Sequence, residues 1–137
     1  MSMAIKEELV EFKKYHKNIY NVLFHILCGF VYMACIMENK YHMHLLVLYT
    51  LLILFTINDI LLTTVIFVVL LIMIYLLQKC NISSKKLCMG FILFYFLPEL
   101  SHYVTNEPTV LNVNNITPLN VFINIFYLLP FSIKSLT

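Results

Sequence analysis

The sequence predicts an all-α integral membrane bundle of about four spanning helices plus a short C-terminal apolar helix. Three observations predict it. The 137-residue chain is 61% hydrophobic and only 12% charged, where a soluble domain carries about 25% charged residues. Its mean hydropathy is +0.88, so little of it can face water. Its apolar residues fall in runs of near-spanning length, separated by short polar breaks. About 20 apolar residues cross a bilayer core as a helix. At this length one domain is expected, residues 1–137, with 1–17 as a polar approach and 18–137 as the bundle. The net charge of +2 is too small to argue for a nucleic-acid partner. All nine basic residues are lysine and asparagine, isoleucine and tyrosine abound, as in AT-rich coding sequences.

Met3 to Lys17 reads as an amphipathic helix, with Ile5, Leu9, Phe12 and Tyr15 or His16 at three- and four-residue spacing. The start lacks the short apolar core and small-residue cleavage site of a secretory signal, so the first apolar segment is expected to stay as an anchor. That segment, Ile19 to Met37, is the first span. The polar break Glu38 to His44 follows. The run Leu45 to Leu77 is too long for one span and is interrupted only by Asn58-Asp59. Turn formers there, and the expense of an ionised Asp in mid-membrane, predict a tight hairpin between spans Tyr41–Ile57 and Ile60–Leu77. After the loop Gln78 to Lys86, Leu87 to Leu97 reads as a shorter helix stopped near Pro98. Glu99 to Asn120 reads as an irregular polar stretch. Val121 to Ile133, with Pro130, is short for a span and reads as re-entrant or interfacial. Cys28, Cys35, Cys80 and Cys88 form no C-x-x-C pair, so neither a disulfide framework nor a zinc knuckle is expected.

Of five histidines, His42 and His44 fall in a short polar break and read as interfacial residues. His25 is different: it lies inside the first span, flanked by Phe24 and Ile26, where an imidazole needs a partner. Asn18, Asn21 and His25 are spaced by three and four, so they share one helix face. His16 does not share it. On a straight helix, nine residues set the two rings on opposite sides, ~13 Å apart along the axis. Both can reach one centre only if the helix breaks between Tyr15 and Asn18. His102 follows Pro98 and precedes Glu107 and Pro108, in what reads as an irregular segment.

The stretch "YHKNIYNVLFH", Tyr15 to His25, matches Y-H-x-N-x-x-N-x-x-x-H. It resembles the opening motif of the small endoplasmic-reticulum membrane proteins related to the yeast 2-hydroxy fatty acid dioxygenase. That family's second motif, roughly G-H-x-x-x-E-x-x-x-P-A-L, has a counterpart in Ser101-His102 and Glu107-Pro108, with Ser for Gly and a His-to-Glu spacing of five. The resemblance implies a membrane-embedded oxidoreductase, an Fe(II)-dependent dioxygenase. It would shorten long-chain 2-hydroxy fatty acids by one carbon with O2, a fatty acid alpha-oxidation in sphingoid-base breakdown. It implies His16, His25 and His102 as metal ligands, and Asn18, Asn21 and Glu107 as further site residues. It also implies an endoplasmic-reticulum location. A second class stays open: a non-enzymatic multi-span membrane protein, channel-forming or membrane-remodelling and of viral type. Copurifying iron separates the two.

A shared site constrains topology. His16 and His102 must lie toward one membrane face, so an even number of crossings separates them. The hairpin at Asn58-Asp59 gives four. Lys6, Lys13, Lys14 and Lys17 favour a cytoplasmic N-terminus. Lys79, Lys85 and Lys86 then fall on the other side, against the same rule.

Overall fold

The computed structural model describes residues 3–108 and 118–136. Among them are six α-helices and no strand: α1 (Met3–Tyr15), α2 (Ile19–Met37), α3 (His42–Ile57), α4 (Ile60–Lys79), α5 (Ser84–Thr105) and α6 (Pro118–Ser135). Helices α2, α4 and α5 are long and apolar enough to cross a membrane, whereas α3 and Val121–Ser135 are shorter apolar helices. The outward faces are apolar as well: Leu27 is 59% exposed, Leu61 76% and Phe55 79%. A bundle dressed for water would carry polar groups there, so this surface is compatible with an integral membrane protein.

Helix α2 is the centre of the bundle. It packs most extensively against α5 and also meets α6 and α4. Tyr32 and Met33 of α2, Leu46 and Ile53 of α3, Ile66, Leu70 and Ile74 of α4, and Leu129 of α6 are buried in one core. Gly29 lets α6 approach closely, because a Cβ there would stand 3.2 Å from Leu129 Cβ. Small residues at such crossings let helix backbones come together.

The hairpin forms at the expected place. Asn58 closes α3 in the left-handed region at φ 57°, a conformation asparagine tolerates. Asp59 then caps α4, its carboxylate accepting from the Leu62 N–H at 3.0 Å. It also pairs with Lys134 Nζ at 2.7 Å, tying the end of α6 to the turn. The ammonium, with the Leu62 N–H, holds the Asp59 carboxyl below its usual range.

Three expectations need correction. Helix α5 does not stop near Pro98 but continues to Thr105. His102 is therefore helical and not in an irregular segment. The proline removes one N–H, yet no water competes for the remaining backbone groups in apolar surroundings, so the helix persists. His42 and His44 sit on the first turn of α3 rather than in a loop, with His42 Nδ1 2.9 Å from the Asn39 carbonyl. Of the stretch Glu99 to Asn120, residues 109–117 lie outside the described residues.

Helix α6 runs through Pro130 in the same way. The proline cannot donate to the carbonyl four residues back, that of Phe126. The Tyr49 hydroxyl donates to that carbonyl at 3.0 Å, and the Tyr32 hydroxyl donates to the neighbouring Ile125 carbonyl at 2.6 Å. Tyr127 donates to Thr56 Oγ1 at 3.0 Å. Tyr49→Phe is therefore expected to destabilise the folded protein by about 0.5–2 kcal/mol. In a Pro130→Ala background, which restores the missing N–H, the loss should shrink. Thermal unfolding of the four proteins in one detergent checks this double-mutant cycle. Orientation is tested by single cysteines at Lys6, Asn58, Ser83 and Asn106 in a cysteine-free background. An impermeant thiol reagent should reach Lys6, Asn58 and Asn106 positions from one side of the membrane and Ser83 from the other.

Candidate metal centre

Between α1 and α2 the chain leaves the helix at His16, Lys17 and Asn18. This is the break that a shared site demanded. Asn18 caps α2, its side-chain oxygen accepting from the Tyr20 N–H at 2.9 Å. The open backbone donors of the break go to Glu107: its Oε1 accepts from Lys17 N–H at 2.6 Å and from Asn18 N–H at 2.7 Å. Its Oε2 accepts from Asn21 Nδ2 at 2.7 Å. Burial raises the Glu107 carboxyl pKa, but the bonds from Asn21, Asn18 and Lys17 outweigh it and leave the group below its ordinary range. Glu107 thus stays charged and staples the end of α5 to the start of α2.

With the chain broken there, His16 turns back over α1 and meets His25. The three histidines His16, His25 and His102 are all buried, and one ring nitrogen from each lies within 4.8 Å of the others. The ring centroids are 4.4, 4.6 and 5.0 Å apart. His16 stacks on Phe12 at 3.7 Å, which fixes the plane of its ring.

Hydrogen bonds then decide the tautomers. His16 Nδ1 is 2.8 Å from the Phe12 carbonyl, and His25 Nδ1 is 2.9 Å from the Asn21 carbonyl. A carbonyl only accepts, so both Nδ1 atoms carry the hydrogen and both Nε2 atoms present bare lone pairs. Those two Nε2 atoms face each other at 3.1 Å. Two lone pairs at this distance repel unless a proton or a metal ion lies between them. Burial, with the neighbouring His25 and His102, pushes the His16 imidazole down to about 3, although the Phe12 carbonyl and Glu107 act the other way. The three buried histidines form a group that could hold a metal ion. The residues present fit a divalent ion.

His102 is reached through Asn21. The amide nitrogen of Asn21 is 3.2 Å from His102 Nδ1, while its oxygen accepts from Ser101 Oγ. Glu107 demands a donor, so the amide orientation is set by the carboxylate. Of the expected site residues, the fold brings His16, His25, His102, Asn21 and Glu107 together. Asn18 comes only through its backbone, since its side chain serves the helix cap. Ser101, Phe12 and the Phe12 carbonyl were not anticipated. Ser101 occupies the second motif's Gly position, and Phe12 lies four residues before His16, one helical turn, a spacing that gives no hint of stacking without the break.

A cavity of about 30 Å³ adjoins the triad, lined among others by Phe12, Tyr95, Pro98, Glu99 and Leu128. An apolar groove of about 340 Å³ opens between α2 and α5, lined by Tyr20, Asn21, Phe24, Leu97, Leu100, Ser101 and Val104. Comparison with known proteins finds no matching family model, no matching curated protein and no matching solved structure.

The buried neutral His16 predicts acid sensitivity. Its imidazole titrates at about 3 when folded against an ordinary 6.5. Below pH 6.5 the unfolded chain takes up a proton that the folded chain refuses, so stability is full above that pH and falls toward pH 3. The slope is up to about 1.4 kcal/mol per pH unit. In metal-free protein, His16→Phe keeps the stack on Phe12 and removes the titrating group. Its unfolding free energy between pH 7.5 and 5 should depend on pH less steeply, by about one proton.

Proposed function

We propose that this chain is a membrane-embedded Fe(II)-dependent dioxygenase that shortens long-chain 2-hydroxy fatty acids by one carbon. The observation that carries the reading is the pair of bare, buried Nε2 atoms of His16 and His25 at 3.1 Å, with His102 beside them. The similarity of Tyr15 to His25 to the dioxygenase motif supplies the reaction class. The bare Nε2 atoms of His16 and His25, with His102 beside them, are neutral nitrogen donors of the kind that suits Fe(II). Iron held there would supply O2 activation and an electrophilic anchor for a 2-hydroxy carboxylate.

The chain's own residues do the rest. Phe12 and Asn21 carbonyls fix the tautomers of His16 and His25, and Asn21 links His102 to Glu107. The two carbonyl contacts orient His16 and His25 and raise the basicity of their free nitrogens. The apolar groove between α2 and α5 would hold the acyl tail, since its lining is the side chains of two apolar helices. The overall change balances as R–CHOH–COOH plus O2 giving R–COOH, CO2 and water. A bilayer location suits a substrate that partitions into lipid. An endoplasmic-reticulum membrane with a cytoplasmic N-terminus is part of the same proposal.

Metal analysis of protein purified in detergent, after anaerobic Fe(II) loading, together with O2 uptake on 2-hydroxyhexadecanoate and mass spectrometry of the product, tests the reading. About one iron per chain and a fifteen-carbon acid are expected. His25→Ala should lose both metal and turnover, His42→Ala should keep both, and Asn21→Ala should weaken metal retention roughly 10–100-fold. Full iron occupancy in His25→Ala would sink the assignment.

A further inference from the structure

The sequence motif directs attention to Glu107, but a second carboxylate, that of Glu99, lines the cavity beside the three histidines. Glu99 is on α5, one helical turn before His102, so the two share a face. It lines the same cavity of about 30 Å³ as His16, His25 and His102. A cavity of that size admits a water molecule or one small polar group. The carboxylate is partly buried and makes no hydrogen bond or ion pair with any described residue. Glu107, in contrast, has both oxygens engaged by three donors. A part-buried carboxylate beside the three histidines, with no donor among the described residues, has its oxygens open to accept from a ligand.

We propose that Glu99 is the acceptor that recognises the hydroxyl of a 2-hydroxy acid bound at the histidine centre. The inference rests on the dioxygenase reading and adds to it the residue that selects the substrate. In its ionised form the Glu99 carboxylate only accepts, so it binds a hydroxyl and offers nothing to an unsubstituted acid. Charge argues the same way. Three neutral imidazoles leave a divalent ion uncompensated, and the ligand's carboxylate cancels one charge. Glu99 cancels the other, in a site where unbalanced charge is costly. Glu99 does not belong to the group of close ligand atoms, which comprises the three histidines, so its role is toward the ligand rather than the ion.

The test uses Zn(II)-loaded protein, which holds the ligand without turnover. Binding of 2-hydroxyoctanoate and of octanoate is measured by calorimetry for the wild type, Glu99→Gln and Glu99→Ala, with zinc content determined for each. The wild type should prefer the hydroxy acid by about 10–100-fold, the range of a hydrogen bond to a charged acceptor. Glu99→Ala should lose that preference while keeping its zinc. Glu99→Gln, which retains a neutral acceptor, should fall between. An undiminished preference in Glu99→Ala overturns the proposal and leaves the dioxygenase reading standing. Loss of zinc from Glu99→Ala also overturns it, because Glu99 would then be a ligand. A wild type that holds no metal, or binds both acids alike, overturns the dioxygenase reading and this inference together.

Discussion

The break at His16, Lys17 and Asn18 is the constraint on which the site depends. A continuous helix from Met3 to Met37 would hold His16 and His25 on opposite sides. Three unpaired residues in a membrane-facing bundle would ordinarily be costly, since backbone N–H groups there need partners. Glu107 supplies them for Lys17 and Asn18 from the far end of α5, at 2.6 and 2.7 Å. One carboxylate therefore permits the break, draws α5 against α2, and orients Asn21. Because His102 lies in the last turn of α5, five residues before Glu107, the same staple delivers the third imidazole.

Tautomer selection follows from the backbone. Two carbonyls, each four residues before the histidine it engages, take the Nδ1 hydrogens of His16 and His25. Helical carbonyls are usually spent on N–H groups four residues on. Here the carbonyl of Phe12, in the last turn of α1, also receives the His16 ring hydrogen. The electron pairs on the opposite nitrogens are then forced toward each other in a pocket that burial keeps free of protons. The fold thereby assembles a buried group that could hold a metal ion.

The same economy of backbone groups governs α6. Pro130 leaves the Phe126 carbonyl without its helical partner, and Tyr49 reaches across to fill the place. Tyr32 and Tyr127 add cross-links from α2 and to α3. These contacts, with the ion pair between Asp59 and Lys134, hold α6 at the end of the bundle where the histidines lie. Leu128 can then line the cavity beside them. Glu99 and Glu107 divide the acidic work on one helix end: the first is left facing the cavity, and the second is consumed by structure.

The amino-acid sequence by itself determined the helical class, the hairpin at Asn58-Asp59 and the need for a helix break before Asn18. These are local matters: run length against bilayer thickness, turn propensity, and the 3.6-residue period. His25 was legible as a buried polar group wanting a partner, and His16 and His102 as its companions through the spacing of Tyr15 to His25 and the family resemblance. The passage of α5 through Pro98 was not legible, because proline's local preference to end a helix is overridden where surrounding apolar groups exclude water. Nor was the split between Glu99 and Glu107. Both are acidic residues near His102, and only the packing of α5 on α2 decides which oxygen atoms meet backbone donors and which face the cavity. The tautomers, likewise, depend on distances between atoms brought together by tertiary contacts, and no pattern of residue types encodes them.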